Sequence, residues 1–152
     1  MSIVVDSPAA LPSAIGRTAT GEWFAIDQER IQAFADATED WQWIHLDAER
    51  AASGPFGATI AHGYLTLSLL PRLTAGLLDI AGTSMVVNYG LDRVRFLQPV
   101  IVGSRVRAVT EVAAVEPTPT GYRVSLKTTV ELEGSSRPAL VADAVALVVP
   151  EA

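Results

Sequence analysis

The sequence predicts an α+β fold in which a curled antiparallel sheet wraps around a long apolar central helix. The stretch from His62 to Leu78 is apolar on nearly every side, a pattern typical of a buried helix. After residue 83 the chain alternates apolar and polar residues in long runs that are separated by short turns, as antiparallel strands do. A sheet of this kind buries a preceding apolar helix by curling around it.

Composition limits the classes of protein to consider. The chain has 152 residues, the size of one domain, and 49% are hydrophobic, which excludes a disordered chain. No apolar run approaches the roughly 18 residues of a membrane-spanning helix, and the N-terminus lacks a positive signal-peptide region, so a cytoplasmic location is expected. Zero cysteines and two histidines argue against disulfides and a metal site, and a net charge of -6 argues against nucleic acid.

The N-terminal third reads as an arm followed by a strand and a helix. Residues 1–20 are rich in Ala, Pro, Ser and Thr and predict a loose N-terminal arm, with residues 21–150 forming a single domain. Residues 22–26 read as the first strand. Asp27 caps a helix that is expected to end near Thr38. The apolar stripe of this helix consists of Ile31, Phe34 and Ala35.

Short elements follow. Residues 39–45 are expected to form a loop, and Asp47 to cap a second short helix that reaches Ala52. The Ser53–Gly57 cluster predicts a turn. Pro71 would disrupt the interior of a helix, so a kink or restart of the central helix is expected there.

The remaining chain predicts strands. Met85–Leu91 and Arg93–Leu97 form one interrupted run, with Gly90 as a bulge or bend. Further strands are predicted over residues 103–116, 122–133 and 139–149, connected by a hairpin loop over 117–121 and a turn over 134–138.

One segment places chemically active groups near each other. Asp40 and His45 are followed by Gly63, and the only two histidines of the chain, His45 and His62, both lie in this segment. A carboxylate, an imidazole and a glycine amide could therefore converge on one small molecule. Taken singly, Asp40 could cap local structure and His45 could be an ordinary loop histidine.

The pattern of these residues resembles the MaoC-like hydratase family. Residues 34–47 (FADATEDWQWIHLD) and 55–63 (PFGATIAHG) are similar to the family pattern Phe-Ala-x-x-(Ser/Thr)-Gly-Asp-x-Asn-Pro-(Ile/Leu)-His-x-Asp and its later His-Gly. Residues 89–99 are similar to the strand after the central helix, so the resemblance spans most of the chain. Two departures are Glu39 in place of Gly, and Trp41-Gln42-Trp43 in place of x-Asn-Pro. They resemble the branch of nodulation protein N-like sequences.

This resemblance implies a hot-dog fold, a homodimer with sheets paired edge to edge, and (R)-specific hydration of trans-2-enoyl-CoA. It implies that Asp40 and His45 are the catalytic pair. Both are expected to orient the attacking water, with Asp40 as the favoured base and His45 sharing the proton; because the two groups are coupled, which of them is formally the base stays open. It places the Gly63 amide in the oxyanion hole at the start of the central helix. The CoA thioester is then the small-molecule substrate, and no cofactor is expected.

Other polar residues have simpler interpretations. His62 is expected to hydrogen-bond backbone groups at the helix start, Thr38 and Asp47 to act as caps, and Trp41 and Trp43 to pack.

A cluster of arginines lies in the strand region: Arg93, Arg95, Arg105 and Arg107, with Asp92 as the only acid nearby in sequence. A solvated outer sheet face is the favoured interpretation. The alternative is an anion site at Arg93 and Arg95 for a phosphorylated ligand.

Two other functions are compatible with the fold. Hot-dog thioesterases commonly place a carboxylate on the central helix, and residues 64–78 contain none. A non-catalytic acyl-CoA-binding module is the other alternative, which the presence of Asp40, His45 and Gly63 disfavours.

Overall fold

A computed structural model describes all 152 residues, with the helices in the first half of the chain and the four long strands in the second half. In chain order they are β1 (Ile3–Val5), a 3-10 helix (Pro8–Ala14), β2 (Thr18–Thr20), β3 (Phe24–Ala25), α1 (Gln28–Thr38), α2 (Trp43–Leu46), α3 (Ala48–Ala52), α4 (Gly63–Ser68), α5 (Leu70–Leu73), β4 (Leu78–Ile80), β5 (Thr83–Phe96), β6 (Arg105–Thr118), β7 (Gly121–Leu132) and β8 (Leu140–Pro150).

Six strands form one antiparallel sheet in the order β2-β6-β7-β8-β5, with β3 also paired to β6. The four long strands lie within about two residues of the predicted bounds because each is a long alternating run ended by a turn. The β5–β8 register shifts between Asn88 and Gly90, which confirms the irregularity expected at Gly90. β5 occupies one margin of the sheet and pairs only with β8.

The apolar helical segment lies in the core, but it is shorter than predicted. Leu65, Leu69, Leu70 and Leu73 are buried within a cluster of 23 buried hydrophobic residues. The expectation of one long helix from 62 to 78 is wrong, because helical structure ends at residue 73. Pro71 stands near the start of α5, where its missing N–H costs nothing, so the expected restart is confirmed.

No helix of the structure is long and apolar enough to span a membrane.

Residues 1–20 are ordered and packed, so the prediction that they are loose is wrong. β1 pairs in parallel with β4, and β2 pairs with β6. Ile3, Leu11 and Ala14 are at most 2% exposed. Apolar residues spaced among Pro and Ser fill the open side of the core, which composition alone does not reveal. The first strand of the domain, predicted over residues 22–26, is only Phe24–Ala25.

The helices that carry the site begin and end largely as the caps predict. The Asp27 carboxylate accepts a hydrogen bond from the Arg30 N–H at 2.8 Å, and Asp47 accepts one from the Arg50 N–H at 2.9 Å. Thr38 is not a cap, since its hydroxyl donates to the Phe34 carbonyl at 2.7 Å.

The stretch of residues 39–45 is not all loop, because α2 adds one helical turn that contains His45. The turn brings the imidazole back toward the segment that precedes α4, where the Ile60 N–H donates to the Ile44 carbonyl at 3.0 Å. This local fold positions the site.

Candidate active site

Three ionisable side chains meet between the end of α1 and the start of α4. Asp40 follows α1, His45 lies in α2 and His62 precedes α4. One carboxylate or imidazole atom from each lies within 4.8 Å of the others. The structure therefore brings Asp40 and His45 together, and it adds His62 to the cluster.

The imidazole of His45 is buried and held in one orientation. Its Nδ1 lies 2.7 Å from the Ile60 carbonyl oxygen. A carbonyl oxygen only accepts, so Nδ1 carries the hydrogen, and the neutral ring keeps a lone pair on Nε2. Burial lowers the pKa of His45 below its usual 6.5, and the nearby His62 acts in the same direction, against the Ile60 bond and Asp40, which raise it. His45 is thus a neutral acceptor at pH 7.

His62 connects the two other members of the cluster. Its Nε2–H donates to the backbone carbonyl of Asp40 at 3.0 Å, which confirms the expected bond to a backbone group. Its ring stacks on that of His45, with centroids 3.8 Å apart and planes inclined by 24°. Phe34 packs against the same ring at 4.9 Å. The His62 ring therefore fixes the Asp40 backbone and the His45 ring relative to each other.

A second hydrogen-bonded chain holds the backbone of His45. The Gln28 side-chain amide donates to the His45 carbonyl at 2.8 Å, and the buried Thr59 hydroxyl donates to the Gln28 oxygen at 2.6 Å. Sequence reasoning missed Gln28 and Thr59, which stand 31 positions apart. No periodic pattern connects such a pair, so a single sequence carries no signal for it.

Gly63 lines a cavity of about 450 Å³ beside this cluster. The lining is mostly apolar and includes Phe56, Ile60, Thr66, Phe96 and Val100. A Cβ atom on Gly63 would lie 3.2 Å from the Phe96 ring, so only glycine fits without displacing that ring.

The amide of Gly63 is an open donor. Gly63 is the first residue of α4, and the first N–H groups of a helix have no partner within it. Because α4 has six residues, this N–H acts as a local donor and not through the dipole of a long helix.

Sequence reasoning did not identify Phe96, although residues 89–99 carried a family resemblance.

The two candidate substrate-binding arginines lie on β5. Arg93 Nε is 3.5 Å from the Asp143 carboxylate on β8, and Arg95 Nη1 donates to the Val94 carbonyl at 2.7 Å. Both guanidinium groups lie on the exposed strand at the sheet margin. Arg95 immediately precedes Phe96, so it stands close in sequence to the cavity wall.

Arg105 and Arg107 form ion pairs with β7. Arg105 lies 3.0 Å from Glu133 and Arg107 lies 2.7 Å from Glu131. Strand pairing thus brings acids that are distant in sequence alongside these arginines. These ion pairs agree with a solvated sheet face for Arg105 and Arg107. Arg93 and Arg95 remain the candidates for an anion site.

The two tryptophans of the motif differ in environment. Trp41 Nε1 donates to the Asp36 carboxylate at 2.8 Å, and 55% of the residue is exposed. The Trp43 ring packs under the Arg50 guanidinium at 4.2 Å, which confirms packing for Trp43. Trp41 stands exposed beside Asp40.

The cluster suits proton transfer better than metal binding. His45 Nδ1 and His62 Nε2 are both occupied by carbonyl oxygens. Each histidine therefore keeps one nitrogen that is not bound to a carbonyl oxygen, on one of two rings stacked 3.8 Å apart. A water molecule, which offers two hydrogens, matches one acceptor on His45 and one on Asp40.

Comparisons with known proteins agree with this fold. The family model described as MaoC like domain matches residues 11–133. The chain is 50% identical over 143 residues to 3-hydroxyacyl-thioester dehydratase Z of Mycobacterium tuberculosis, covering 93% of each protein. It is 46% identical over 146 residues to nodulation protein N of Rhizobium leguminosarum, covering 93% of this chain and 91% of that protein.

Solved structures show the same architecture. The R-hydratase PhaJ1 from Pseudomonas aeruginosa superposes with a TM-score of 0.76 at 29% identity, over 96% of this chain and 86% of that one. The (R)-hydratase from A. caviae gives 0.68 at 27% identity, over 88% and 95%. The fold and the relatives define a hot-dog hydro-lyase, an enzyme that adds or removes water. The chain belongs to the MaoC-like dehydratase family, and its similarity to nodulation protein N confirms the predicted branch.

Proposed function

We propose that the enzyme catalyses the (R)-specific hydration of trans-2-enoyl-CoA to (R)-3-hydroxyacyl-CoA, and the reverse dehydration. The supporting observation is the pairing of the Asp40 carboxylate with a neutral His45 whose Nε2 is free to accept, beside the open amide of Gly63. The similarity to two proteins described as R-hydratases supports the stereochemistry. The apolar cavity supports an acyl chain as the group that enters it.

The groups suggest how water is added. A single water molecule donates one hydrogen to the Asp40 carboxylate and its second hydrogen to His45 Nε2. These two hydrogen bonds direct the water oxygen at C3 of the substrate. Attack forms the C3–O bond and moves the double-bond electrons onto the thioester oxygen, where the Gly63 N–H stabilises the charge. The water proton passes to the Asp40–His45 pair, with Asp40 as the principal base, and a proton from the pair then forms the C2–H bond.

A direct assay tests this proposal. Crotonyl-CoA incubated with the enzyme is expected to lose its conjugated-enoyl absorbance and to give the (R)-3-hydroxy product. Asp40→Asn and His45→Gln are each expected to lower turnover by roughly 10²-fold or more, because each removes one of the two acceptors for the water. Asp47→Asn is the matched control, since Asn caps a helix as well as Asp does. Unchanged turnover in Asp40→Asn contradicts the assigned role.

The same assay separates the alternatives. A thioesterase releases free CoA thiol from a saturated acyl-CoA and leaves the enoyl absorbance unchanged. The absence of a carboxylate from α4 and α5 speaks against that activity. Binding of acyl-CoA without any turnover identifies a non-catalytic module.

We also infer that the enzyme is a homodimer joined through β5. β5 pairs with β8 on one side only, and its side chains are almost all exposed in the single chain. They include the apolar Val86 and Tyr89, at 57% and 63% exposure. A long apolar sheet edge of this kind is covered in stable proteins. A solution mass twice that of the chain supports the dimer, and a monomer contradicts it.

A further inference from the structure

Three threonines within or directly after helices differ in what their hydroxyl groups do. Thr38 donates to the Phe34 carbonyl at 2.7 Å and Thr74 to the Leu70 carbonyl at 2.8 Å, each four residues earlier. Thr66 makes no such bond. The carbonyl four residues before it, that of His62, already accepts the amide hydrogens of Leu65 and Thr66. The Thr66 hydroxyl is therefore left without a protein partner.

This hydroxyl borders the cavity. Thr66 is 3% exposed and lines the same apolar cavity as Gly63. Only two buried side-chain polar atoms are both enclosed by protein and unpaired, His62 Nδ1 and Thr83 Oγ1. The unpaired Thr66 Oγ1 is not enclosed, so it faces open space, and the space beside Thr66 is the cavity. A buried hydroxyl in an apolar wall is unfavourable unless a ligand or water satisfies it.

The direction of the side chain brings it toward Gly63. Helical side chains lean toward the helix N-terminus and cover the turn before their own Cα. Gly63 lies three residues before Thr66, on the same face of α4. The other polar side chain of the lining, Gln98, already donates its amide to Ser135 and Arg137. Thr66 is thus the one free side-chain donor next to the Gly63 amide.

We propose that the Thr66 hydroxyl is a second hydrogen-bond donor to the thioester carbonyl oxygen, and that it completes the oxyanion hole begun by the Gly63 N–H. This assignment rests on the proposed hydration of a thioester. Thr66 contacts the substrate oxygen and is a catalytic residue. The negative charge that forms there during attack at C3 is then shared between two donors, one fixed in the backbone and one rotatable.

Thr66→Val tests the proposal because valine keeps the shape of the side chain and removes only the hydroxyl. The kcat for crotonyl-CoA is expected to fall about 10²-fold, the usual effect of losing one oxyanion donor, and Thr66→Ser is expected to restore most of it. Thr74→Val removes a hydroxyl at the C-terminal end of α5, outside the cavity, and is expected to leave kcat unchanged. A kcat for Thr66→Val within threefold of the unmodified enzyme refutes the proposal, as does a serine variant as slow as the valine variant.

A binding measurement identifies the atom that the hydroxyl contacts. Thr66→Val is expected to weaken binding of butyryl-CoA severalfold and to leave binding of S-butyl-CoA, a thioether without the carbonyl oxygen, unchanged. Equal weakening of both ligands refutes the contact with the carbonyl. The Tm of Thr66→Val is expected to equal or exceed that of the unmodified enzyme, which excludes unfolding as the cause of lost turnover. Failure of the unmodified enzyme to hydrate crotonyl-CoA refutes the proposed function instead, and the paired binding test still reports on Thr66.

Discussion

The segment over residues 39–63 and the strand β5 depart from ordinary burial in opposite ways. In the segment, polar groups are buried: His45 and His62 are 6% and 3% exposed, and two hydrogen-bonded chains hold them. On β5, apolar side chains are exposed along a sheet edge with no partner strand. Both departures cost stability in an isolated chain, so each indicates a task for that region. We propose that the segment serves chemistry and that β5 serves association.

The largest effect is expected on the association side of this comparison. Val86→Lys places a charge in a two-fold interface, where each copy loses a buried valine, so the dimer dissociation constant is expected to rise roughly 10²-fold or more. Val4→Lys is the matched control, since Val4 on β1 has nearly the same exposure, 55% against 57%. Sedimentation or light scattering across a dilution series measures the change. Equal dissociation of both variants removes β5 from the interface.

The next effect concerns the pH dependence of the chemistry. Burial lowers the pKa of His45, so the imidazole stays neutral as the pH falls through 6.5 and accepts a proton only at lower pH. The acid limb of kcat/KM that belongs to His45 is expected below pH 6.5, with activity falling about tenfold per unit beyond its midpoint.

The stability follows the same linkage. Because the unfolded chain protonates His45 at higher pH than the folded chain does, the contribution of this group to the unfolding free energy is complete above pH 6.5 and declines as the pH is lowered. An acid limb above pH 6.5 contradicts both statements.

A smaller effect, on KM, is expected at Arg93 and Arg95. Both lie on β5 close in sequence to Phe96, which lines the cavity together with Gly63. If these exposed guanidinium groups bind the phosphates of CoA, Arg93→Ala or Arg95→Ala raises KM about threefold to tenfold and changes kcat less. Arg105→Ala is the control, because Arg105 lies on β6, which contributes no residue to the cavity lining, and pairs with Glu133 at 3.0 Å. Initial-rate kinetics with crotonyl-CoA decide between the interpretations. An unchanged KM in both variants means that the two arginines belong to a solvated sheet face and do not bind the substrate.

The smallest effect is expected at Glu39. This residue has a φ of 60°, the left-handed conformation that ends α1 and favours glycine. Glu39→Gly is expected to raise the unfolding free energy by about 0.5–1 kcal/mol, because relief of the strain exceeds the added entropy of the unfolded chain. Glu29→Gly, inside α1, is expected to lower it by about 1 kcal/mol. Urea unfolding measures both, and a destabilised Glu39→Gly contradicts the strain.

Sequence reasoning predicted those features that depend on local patterns. Alternation gave the long strands, and the Asp27 and Asp47 caps gave the starts of two helices. The Asp40–His45 pair followed from the resemblance of residues 34–47 to the family pattern. The departure from family glycine at residue 39 was visible in the sequence, but its reason, a positive φ, required the backbone.

Features that depend on long-range pairing were not predictable. The central helix was predicted too long, because Gly76, with a φ of 73°, interrupts the apolar run and Leu78 belongs to β4, which pairs with β1. Gln28 and Thr59 bond across 31 residues, and Phe96 reaches Gly63 from β5, so neither contact has a local signature. Burial of residues 1–20 was missed because it depends on β4 and β6, which lie far along the chain.

Ile60 contacts both the His45 imidazole and the apolar cavity that Gly63 lines. Its carbonyl holds His45 Nδ1 at 2.7 Å, its N–H binds the Ile44 carbonyl at 3.0 Å, and its side chain faces the cavity. An engineer who wishes to admit longer or branched tails should therefore leave this position alone. Phe56 lines the same cavity and makes no hydrogen bond to the imidazole, so trimming Phe56 enlarges the cavity and leaves the orientation of His45 unchanged.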